Sequence, residues 1–414
     1  MRRHRCLAVC APGLEDLCAG ELGGLGVRLR RTLVGGVEFS ASERQLYAAN
    51  MWSRTATRVI VRCSTFPAST FAELEHGASE VPWECFVAPG TSPVVRVSAT
   101  SSRLYHTGAV AERLAELAGT GTGTGPLLVV RIIHDRVTLS IDSSGDPLFQ
   151  RGWRLETARA PMRETLAAAV VMASGWDRRS PLVDPFCGSG TIAIEAALLA
   201  SGRAPGSGRR FGFQAWPAFE PGTWASVAAE VGNATVAPQS PSPCPVVIAA
   251  DRDAGAVRAT RANAERAGVA DLIDVRRGSL SELDVAAGNG AAATARARDA
   301  TDRERAACDP AHRDAADRDV AARDAAAGSV AAGERGWVVT NPPYGKRTSG
   351  GGDLRDLYAS IGSVARDRLS GWEVTLLVAE RAMAERTGLR FHERFRTANG
   401  GIPVRCLSTR VPRG

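Results

Sequence analysis

Three short stretches carry residue types whose order fits a group transfer to an aromatic amine. Asn341-Pro342-Pro343-Tyr344 follows an apolar run, Trp337–Thr340. The amine of a nucleobase is a poor nucleophile because its lone pair is delocalised into the ring. An enzyme that alkylates it must accept hydrogen bonds from both N–H groups and make the nitrogen more tetrahedral. The Asn341 side-chain carbonyl and the Pro342 backbone carbonyl supply two such acceptors, and the paired prolines fix their backbone. Tyr344 offers a ring on which an extruded base stacks. The plain alternative is an ordinary loop with a double-proline stop. Two further stretches upstream argue against it.

The first is Asp184-Pro185-Phe186-Cys187-Gly188-Ser189-Gly190-Thr191, between an apolar Leu182-Val183 and a helical run at 192–200. A strand ending in an acid, then a glycine turn and a helix, brings backbone N–H groups against a ligand. Gly188 and Gly190 lack a Cβ and let the chain approach closely. The spacing G-x-G-x-x-A also permits a dinucleotide, but that fingerprint wants an acid roughly 20 residues on, and residues 208–212 offer none. A Walker loop fails as well, since Gly345-Lys346 would need glycine where Thr340 stands. The second stretch is Ala249-Ala250-Asp251-Arg252-Asp253. Asp251, just past an apolar strand, is placed to accept from both ribose hydroxyls of an adenosyl cofactor. Asp253 reads as the N-cap of a helix over 254–267. Together they point to S-adenosylmethionine as methyl donor.

The elements that must hold these residues follow from periodicity. Residues 6–65 alternate short strands (7–9, 37–39, 58–63) with helices (13–25, 42–50), a small α+β unit. Residues 66–150 form a second, with helices at 71–78 and 107–118, strands at 94–98, 127–133 and 137–141, and a flexible Gly/Thr connection at 119–125. Neither contains a catalytic constellation, which leaves binding as their role. Beyond about residue 160, strands at 182–183, 246–250, 273–276, 337–340, 373–378 and 404–409 alternate with Ala-rich helices. That order predicts a doubly wound, mostly parallel α/β sheet, with ligands at the carboxyl ends of its strands. Two interruptions break it. Residues 201–245 are rich in Gly, Pro and Ser around Trp216 and Trp224, and residues 285–335 are almost wholly Ala, Arg, Asp and Gly. The latter reads as a disordered insertion.

Composition narrows the class. A chain of 414 residues, 44% apolar, has room for two or three domains. Its 51 Lys+Arg against 44 Asp+Glu leave +7, nearly all from arginine, which suits a polyanionic partner. Arginine codons of a GC-rich genome account for the same excess. Nine cysteines form no CxxC pair and no zinc spacing, so no metal is expected, and scattered thiols fit a reducing cytoplasm. The start, Met1-Arg2-Arg3-His4-Arg5, is basic, but the apolar stretch after it breaks at Pro12 and Glu15-Asp16, so no secretory leader is expected. No run of 18 apolar residues exists, and no membrane role is expected.

The sequence resembles class I S-adenosylmethionine-dependent methyltransferases that carry an N-terminal THUMP domain. The resemblance covers nearly the whole chain. It rests on Cys10-Ala11-Pro12-Gly13-Leu14-Glu15, the YAANMWSRTATR run at 47–58, Ser102-Arg103-Leu104-Tyr105-His106-Thr107 and Arg151-Gly152-Trp153-Arg154. It rests too on the APMRETL run at 160–166, the Asp184 loop, the Asn341 loop and Asn399-Gly400-Gly401. The chain is similar to bacterial enzymes like the guanine-N2 methyltransferase of large-subunit ribosomal RNA, with relatives acting on tRNA. That resemblance implies a Rossmann-like methyltransferase domain at 166–414, with its last strand antiparallel. Before it would come a ferredoxin-like domain at 1–65, a THUMP RNA-binding domain at 66–150 and a linker at 151–165. It implies that Asp184, Pro185, Gly188 and Gly190 line the methionine side of the cofactor and that Asp251 holds the ribose. Asn341, Pro342 and Tyr344 would face the base, and Thr165, in the 160–166 run, would help close the cofactor site. The expected partner is structured RNA, rRNA or tRNA, with no obligate protein partner.

Three departures qualify the match. Many relatives place an Asp after the third strand to meet the adenine amino group, whereas this chain reads Gly278-Ser279 and leaves Ser279 a weaker contact. The 285–335 insertion separates that strand from the Asn341 loop, and the longer relatives' second methyltransferase domain has no counterpart in these residues. Lys346 and Arg347 fit either a phosphate contact or exposed solubilising charge. Two other functions remain open: N6-adenine methylation of RNA or DNA, and an RNA-binding assembly factor with an inert methyltransferase domain.

Overall fold

The computed structural model describes residues 3–121, 123–156, 162–236, 247–282, 335–344 and 354–413. Pro161, Lys346, Arg347 and, except for Arg335, the expected insertion at 285–335 lie outside the described residues.

The N-terminal part builds one continuous sheet. Its strands are β1 (His4–Cys10), β2 (Arg28–Leu33), β3 (Gly36–Ala41), β4 (Ala56–Pro67), β5 (Val94–Thr100), β6 (Leu127–Ile133) and β7 (Arg136–Asp142), in the order β2-β3-β1-β4-β7-β6-β5. Only β5 and β6 pair in parallel. Strand β4 pairs with β1 on one side and β7 on the other, so the sequence-stretch boundary near residue 65 falls inside a strand shared by both expected units. Helices α1 (Glu15–Gly24), α2 (Glu43–Trp52), α3 (Phe71–Ser79) and α4 (Thr107–Ala118) cover one face. Ser42 with Gln45, and Thr70 with Glu73, close reciprocal caps at the starts of α2 and α3. The Gly/Thr connection is tied down at both ends: Gly125 N–H donates to Ser92 O, and the Ser92 hydroxyl donates to Gly121 O.

The second sheet holds β8 (Leu182–Asp184), β9 (Val247–Asp251), β10 (Ile273–Arg277), β11 (Trp337–Thr340), β12 (Glu373–Val378), β13 (His392–Asn399) and β14 (Ile402–Arg410). Its order is β10-β9-β8-β11-β12-β14-β13. The first five strands are mutually parallel, and β14 runs antiparallel to both its neighbours. This is the Rossmann-like arrangement expected, including the reversed last strand. The short central strands are buried throughout and read as continuous apolar runs, as parallel strands covered on both faces do. Helices α5 (Glu164–Ala173), α6 (Thr191–Ala200), α7 (Pro221–Val236), α8 (Ala254–Arg266), α9 (Leu354–Arg368) and α10 (Arg381–Glu385) accompany the strands. Chain order reverses at β8, with β9 on one side and β11 on the other. The ligand crevice of such a sheet lies outside that switch point.

The stretch at 201–245, expected as an interruption, is a docking element where it is described. Phe213 stacks on Tyr47 of α2 with ring centroids 4.2 Å apart, and Trp224 of α7 meets Tyr47 edge-on at 6.2 Å. The Tyr47 hydroxyl accepts from Glu220 N–H at 3.1 Å. Beside these rings lies a buried charge network. Arg151 donates to both carboxylate oxygens of Glu195 on α6, at 3.0 and 3.4 Å, and to Arg54 O at 2.8 Å. Arg54 in turn donates to Leu198 O and Arg203 O at the end of α6. The 47–58 and 151–154 motifs therefore form the joint between the two sheets.

Candidate active site

Strand β8 ends at Asp184, 1% exposed, beneath the crevice. Its Oδ1 accepts from the Thr340 hydroxyl at 2.6 Å and from Phe186 N–H at 3.3 Å. Burial pushes the Asp184 carboxyl up to about 7 against those hydrogen bonds, and Asp251 nearby adds to the rise. Pro185 is buried behind it. The loop then turns through Gly188 (φ +54°) and Gly190 (φ +83°), both left-handed. Gly190 caps α6, and a Cβ there would come within 2.7 Å of Thr260, so the turn has no room for a side chain.

Helix α8 staples this loop from the side. Thr260 donates to Gly188 O and Asn263 donates to Ser189 O, each at 3.0 Å. Asp251, at the end of β9, accepts from Gly188 N–H through Oδ2 and from Asp253 N–H through Oδ1, both at 3.0 Å. An ionised carboxylate has about four acceptor sites, so about two remain open to ligand hydroxyls. Asp253 caps α8 through Gly255 N–H, as expected. Gly278 N–H donates to Asp251 O at 3.1 Å, which brings Ser279 beside the ribose candidate. The Ser279 hydroxyl shares a hydrogen bond with Ser281 at 3.0 Å. Thr165 is 5% exposed in the first turn of α5. Its neighbour Glu164 is pushed up to about 7 by burial despite the ion pair with Arg154.

Strand β11 adjoins β8 and delivers the Asn341 loop next to Asp184 through the Thr340 contact. Asn341 Oδ1 is buried and has no hydrogen-bond partner among the described residues, and Pro342 is buried beside it. A buried acceptor left unpaired carries a desolvation cost of ~1 to 3 kcal/mol, which a donor in the crevice would relieve. Tyr344 is half-buried, and its hydroxyl accepts from Asn399 Nδ2 at 2.7 Å. Asn399 closes β13 at a two-residue turn whose glycines, Gly400 and Gly401, both have positive φ. The fold thus gathers Asp184, Pro185, Gly188, Gly190, Asp251, Ser279, Asn341, Pro342 and Tyr344 at the ends of β8 to β11.

A family model described as the RMKL-like methyltransferase domain matches residues 151–294 and 304–407. The chain belongs to this family. A second model, the RlmL ferredoxin-like domain, matches residues 5–60. The RMKL-like chain is 30% identical over 419 residues to the "Ribosomal RNA large subunit methyltransferase K/L" of Syntrophotalea carbinolica, covering 97% of this chain and 53% of the relative. It therefore spans about half the length of the curated relatives it matches. Among solved structures, a predicted N6-adenine-specific DNA methylase from Listeria monocytogenes is 28% identical with a TM-score of 0.79, covering 100% of this chain and 97% of that one. SMU.472, a putative methyltransferase complexed with SAH, shares the fold at 24% identity and a TM-score of 0.79, with 100% of both chains covered.

Four contact residues of this RMKL-like site escaped the sequence reading as site residues: Thr260, Asn263, Thr340 and Asn399. The Asn-Gly-Gly turn was visible, but nothing in it announced a contact with Tyr344.

Proposed function

We propose that this RMKL-like chain transfers a methyl group from S-adenosylmethionine to an exocyclic amino nitrogen in structured RNA, N2 of a guanine in ribosomal RNA or tRNA. The observation that carries this reading is the buried Asn341 oxygen beside the glycine loop, unpartnered among the described residues. The residues present fit the cofactor. The left-handed glycine turn leaves the backbone bare, Asp251 retains open acceptor sites for ribose hydroxyls, and Ser279 lies next to it for the adenine. Asp184, Pro185, Gly188 and Gly190 would line its methionine side, with Thr165 closing the site. S-adenosylmethionine, when bound, supplies an electrophilic methyl group.

The chain's own residues prepare the nucleophile. Asn341 Oδ1 accepts one N–H of the amine and the Pro342 carbonyl the other, which draws the lone pair out of conjugation. Because Asn341 is neutral, it orients the amine without taking its proton, which passes to water once the N–C bond has formed and the thioether S-adenosylhomocysteine has been released. Tyr344, its hydroxyl held by Asn399, presents a fixed ring edge or face to the base. The ferredoxin-like unit (1–65) and the THUMP unit (66–150), which share β4, would choose the RNA, and the linker (151–165) would join them to the catalytic domain. Ribosomal RNA as substrate would put the protein in the cytoplasm. No described helix is long and apolar enough to cross a membrane.

The test incubates wild type and Asn341→Ala with unmodified total RNA and tritiated cofactor, then digests the RNA to nucleosides. Wild type should yield N2-methylguanosine. Asn341→Ala should keep cofactor and RNA affinity yet lose turnover by roughly 10² to 10³, the scale of one preorganised polar contact at the reacting centre. Label in N6-methyladenosine would move the reading to adenine, the base for which the Listeria protein is named. Full activity of Asn341→Ala would remove the mechanism.

A further inference from the structure

The face of the N-terminal sheet opposite its helices is paved with arginine. Alternation along each strand sends Cys6, Phe39, Val61, Val130 and Leu139 into the helix-covered core, all at 2% exposure or less, and leaves the intervening residues on the other face. Strand register then carries one row across all seven strands. Arg28 lies beside Ser40 and Ser40 beside Arg5. The β1–β4 register, Cys6 with Val61, sets Arg5 opposite Arg62. Arg62 lies beside Ser140, Ser140 beside Val129, and Val129 beside Arg96. Arg131 and Arg136 stand on the same face, two and seven positions along the β6–β7 hairpin from Val129.

This face is positive in excess of its acids. Glu38 is engaged by Arg62 at 3.0 Å and Arg31 at 3.4 Å, and Asp142 is held by Arg58. Arg5, Arg28, Arg96, Arg131 and Arg136 are exposed and pair with no carboxylate among the described residues. The Arg62 guanidinium lies below its ordinary value through burial, and Arg5, Arg131 and Arg31 push it the same way. Self-repulsion of this kind is relieved by a polyanion. Arginines at the joint between the sheets are spent otherwise, on Glu195 and on backbone carbonyls.

The face also lacks any described aromatic residue: serine, threonine and aliphatic side chains fill the positions between the arginines. Single-stranded RNA is held by stacking its bases on aromatic rings, whereas duplexes are held by backbone contacts to shape and phosphate. Seven strands at ~4.8 Å spacing span ~29 Å, enough to face several successive phosphates. We propose that this sheet face docks the phosphate backbone of a double-stranded RNA segment, without reading its sequence. The proposal rests on RNA being the substrate. It assigns the docking to the arginine-paved strands, leaving the helices to face the methyltransferase domain.

The test uses the full chain carrying Arg96→Glu and Arg131→Glu, two exposed positions that hold no ion pair among the described residues. The probe is a fully paired, fluorescein-labelled RNA duplex of arbitrary sequence. Duplex affinity near physiological salt should fall at least tenfold, and the slope of log affinity against log salt should shrink by about 2, one per phosphate contact. Cofactor affinity by calorimetry should not change. A control with the same charge change, Arg178→Glu with Arg179→Glu at the amino ends of the second sheet, should bind RNA nearly as wild type does. Unchanged duplex affinity in the first variant, an equal loss in the control, or preference of wild type for anionic vesicles or for unpaired RNA would each overturn the proposal. Wild type that binds duplex through this face yet methylates no RNA would sink the proposed reaction and leave the docking face standing.

Discussion

Asp184→Asn should make the protein more stable at neutral pH and remove a pH dependence that wild type shows. The carboxyl is buried under the glycine loop and titrates at about 7, against an ordinary 3.8. Because the folded value is raised, the folded chain keeps a proton that the unfolded chain has already released. Stability therefore falls as pH rises through the interval between the two values, and is level above it. At about 1.4 kcal/mol per pH unit, the full penalty at pH 8 is ~4 kcal/mol. Asparagine keeps a carbonyl to accept from the Thr340 hydroxyl and has nothing to titrate. Urea unfolding of both proteins across ~pH 4 to 8 gives the comparison, since other titrating groups cancel in the difference. The Asn-minus-Asp difference should climb by up to ~4 kcal/mol and stop climbing above about pH 7. A difference flat to within ~1 kcal/mol would refute the reasoning, because it would mean that the carboxyl titrates near its ordinary value. The same burial ties the residue to cofactor binding. A sulfonium and an ammonium brought against Asp184 favour its ionised form, so wild-type affinity for S-adenosylmethionine should rise with pH through about 7 while that of Asp184→Asn stays flat.

Asp251→Ala should weaken S-adenosylmethionine binding by roughly tenfold to a hundredfold, the ~1.5 to 3 kcal/mol of hydrogen bonds to a charged group. Calorimetry decides it, and equal dissociation constants would return Asp251 to a purely local role on Gly188 and Asp253. Asn399→Ala should lower kcat on RNA while sparing cofactor affinity, and Tyr344→Phe should do the same. Since both remove the Asn399–Tyr344 hydrogen bond, the double variant should be no worse than Tyr344→Phe, which also loses the hydroxyl's contact with Asn341, and additive losses would break the link between them. Glu195→Gln should cost ~3 to 5 kcal/mol in urea unfolding, because it removes the carboxylate that ion-pairs directly with the buried Arg54 and Arg151.

What the sequence revealed depended on how each element is buried. Strands β8, β9, β11 and β12 were legible as apolar runs because both their faces are covered. Strands β2 and β13 were not. Their sequences, RLRRTL and HERFRTAN, lie at sheet edges with mostly exposed side chains, so no hydrophobic alternation marks them and only pairing with β3 and β14 makes them strands. The Gly/Pro-rich composition of 201–236 concealed the docking role of Phe211, Phe213 and the visible Trp216 and Trp224, whose packing against α2 and Phe86 is a tertiary fact. At the site, Asp184, Gly188, Gly190, Asp251 and Asn341 could be assembled on paper because doubly wound topology forces successive strand ends into one crevice. Thr260, Asn263, Thr340 and Asn399 are common polar residues whose spacing carries no signal. Each acquires its role from a partner 55 to 156 positions away.

The buried network around Glu195 bears on how recognition reaches the reacting centre. Helix α6 begins at Gly190, in the loop proposed to hold the cofactor, and one turn later presents Glu195 to Arg151 and Arg54. The loop is thus positioned from two sides, by α8 within its own sheet and by arginines that flank the central strands β4 and β7 of the other. Hydrophobic contact alone, such as Phe213 on Tyr47, permits sliding between the two bodies, whereas a bidentate guanidinium has one register. Our hypothesis is that these charges fix register more than they add stability, since apolar side chains of similar volume often stabilise as well as a buried ion pair. Replacing the group together, as Arg54→Met, Arg151→Leu and Glu195→Leu, should then cost no more urea stability than Glu195→Gln does, because carbonyls left without a donor at Leu148, Arg203 and position 54 take the place of an uncompensated buried charge. Turnover on RNA should nevertheless fall at least tenfold with cofactor affinity kept, because the docked duplex no longer presents its base to Asn341. A triple variant with wild-type turnover would show that aromatic packing alone sets the geometry.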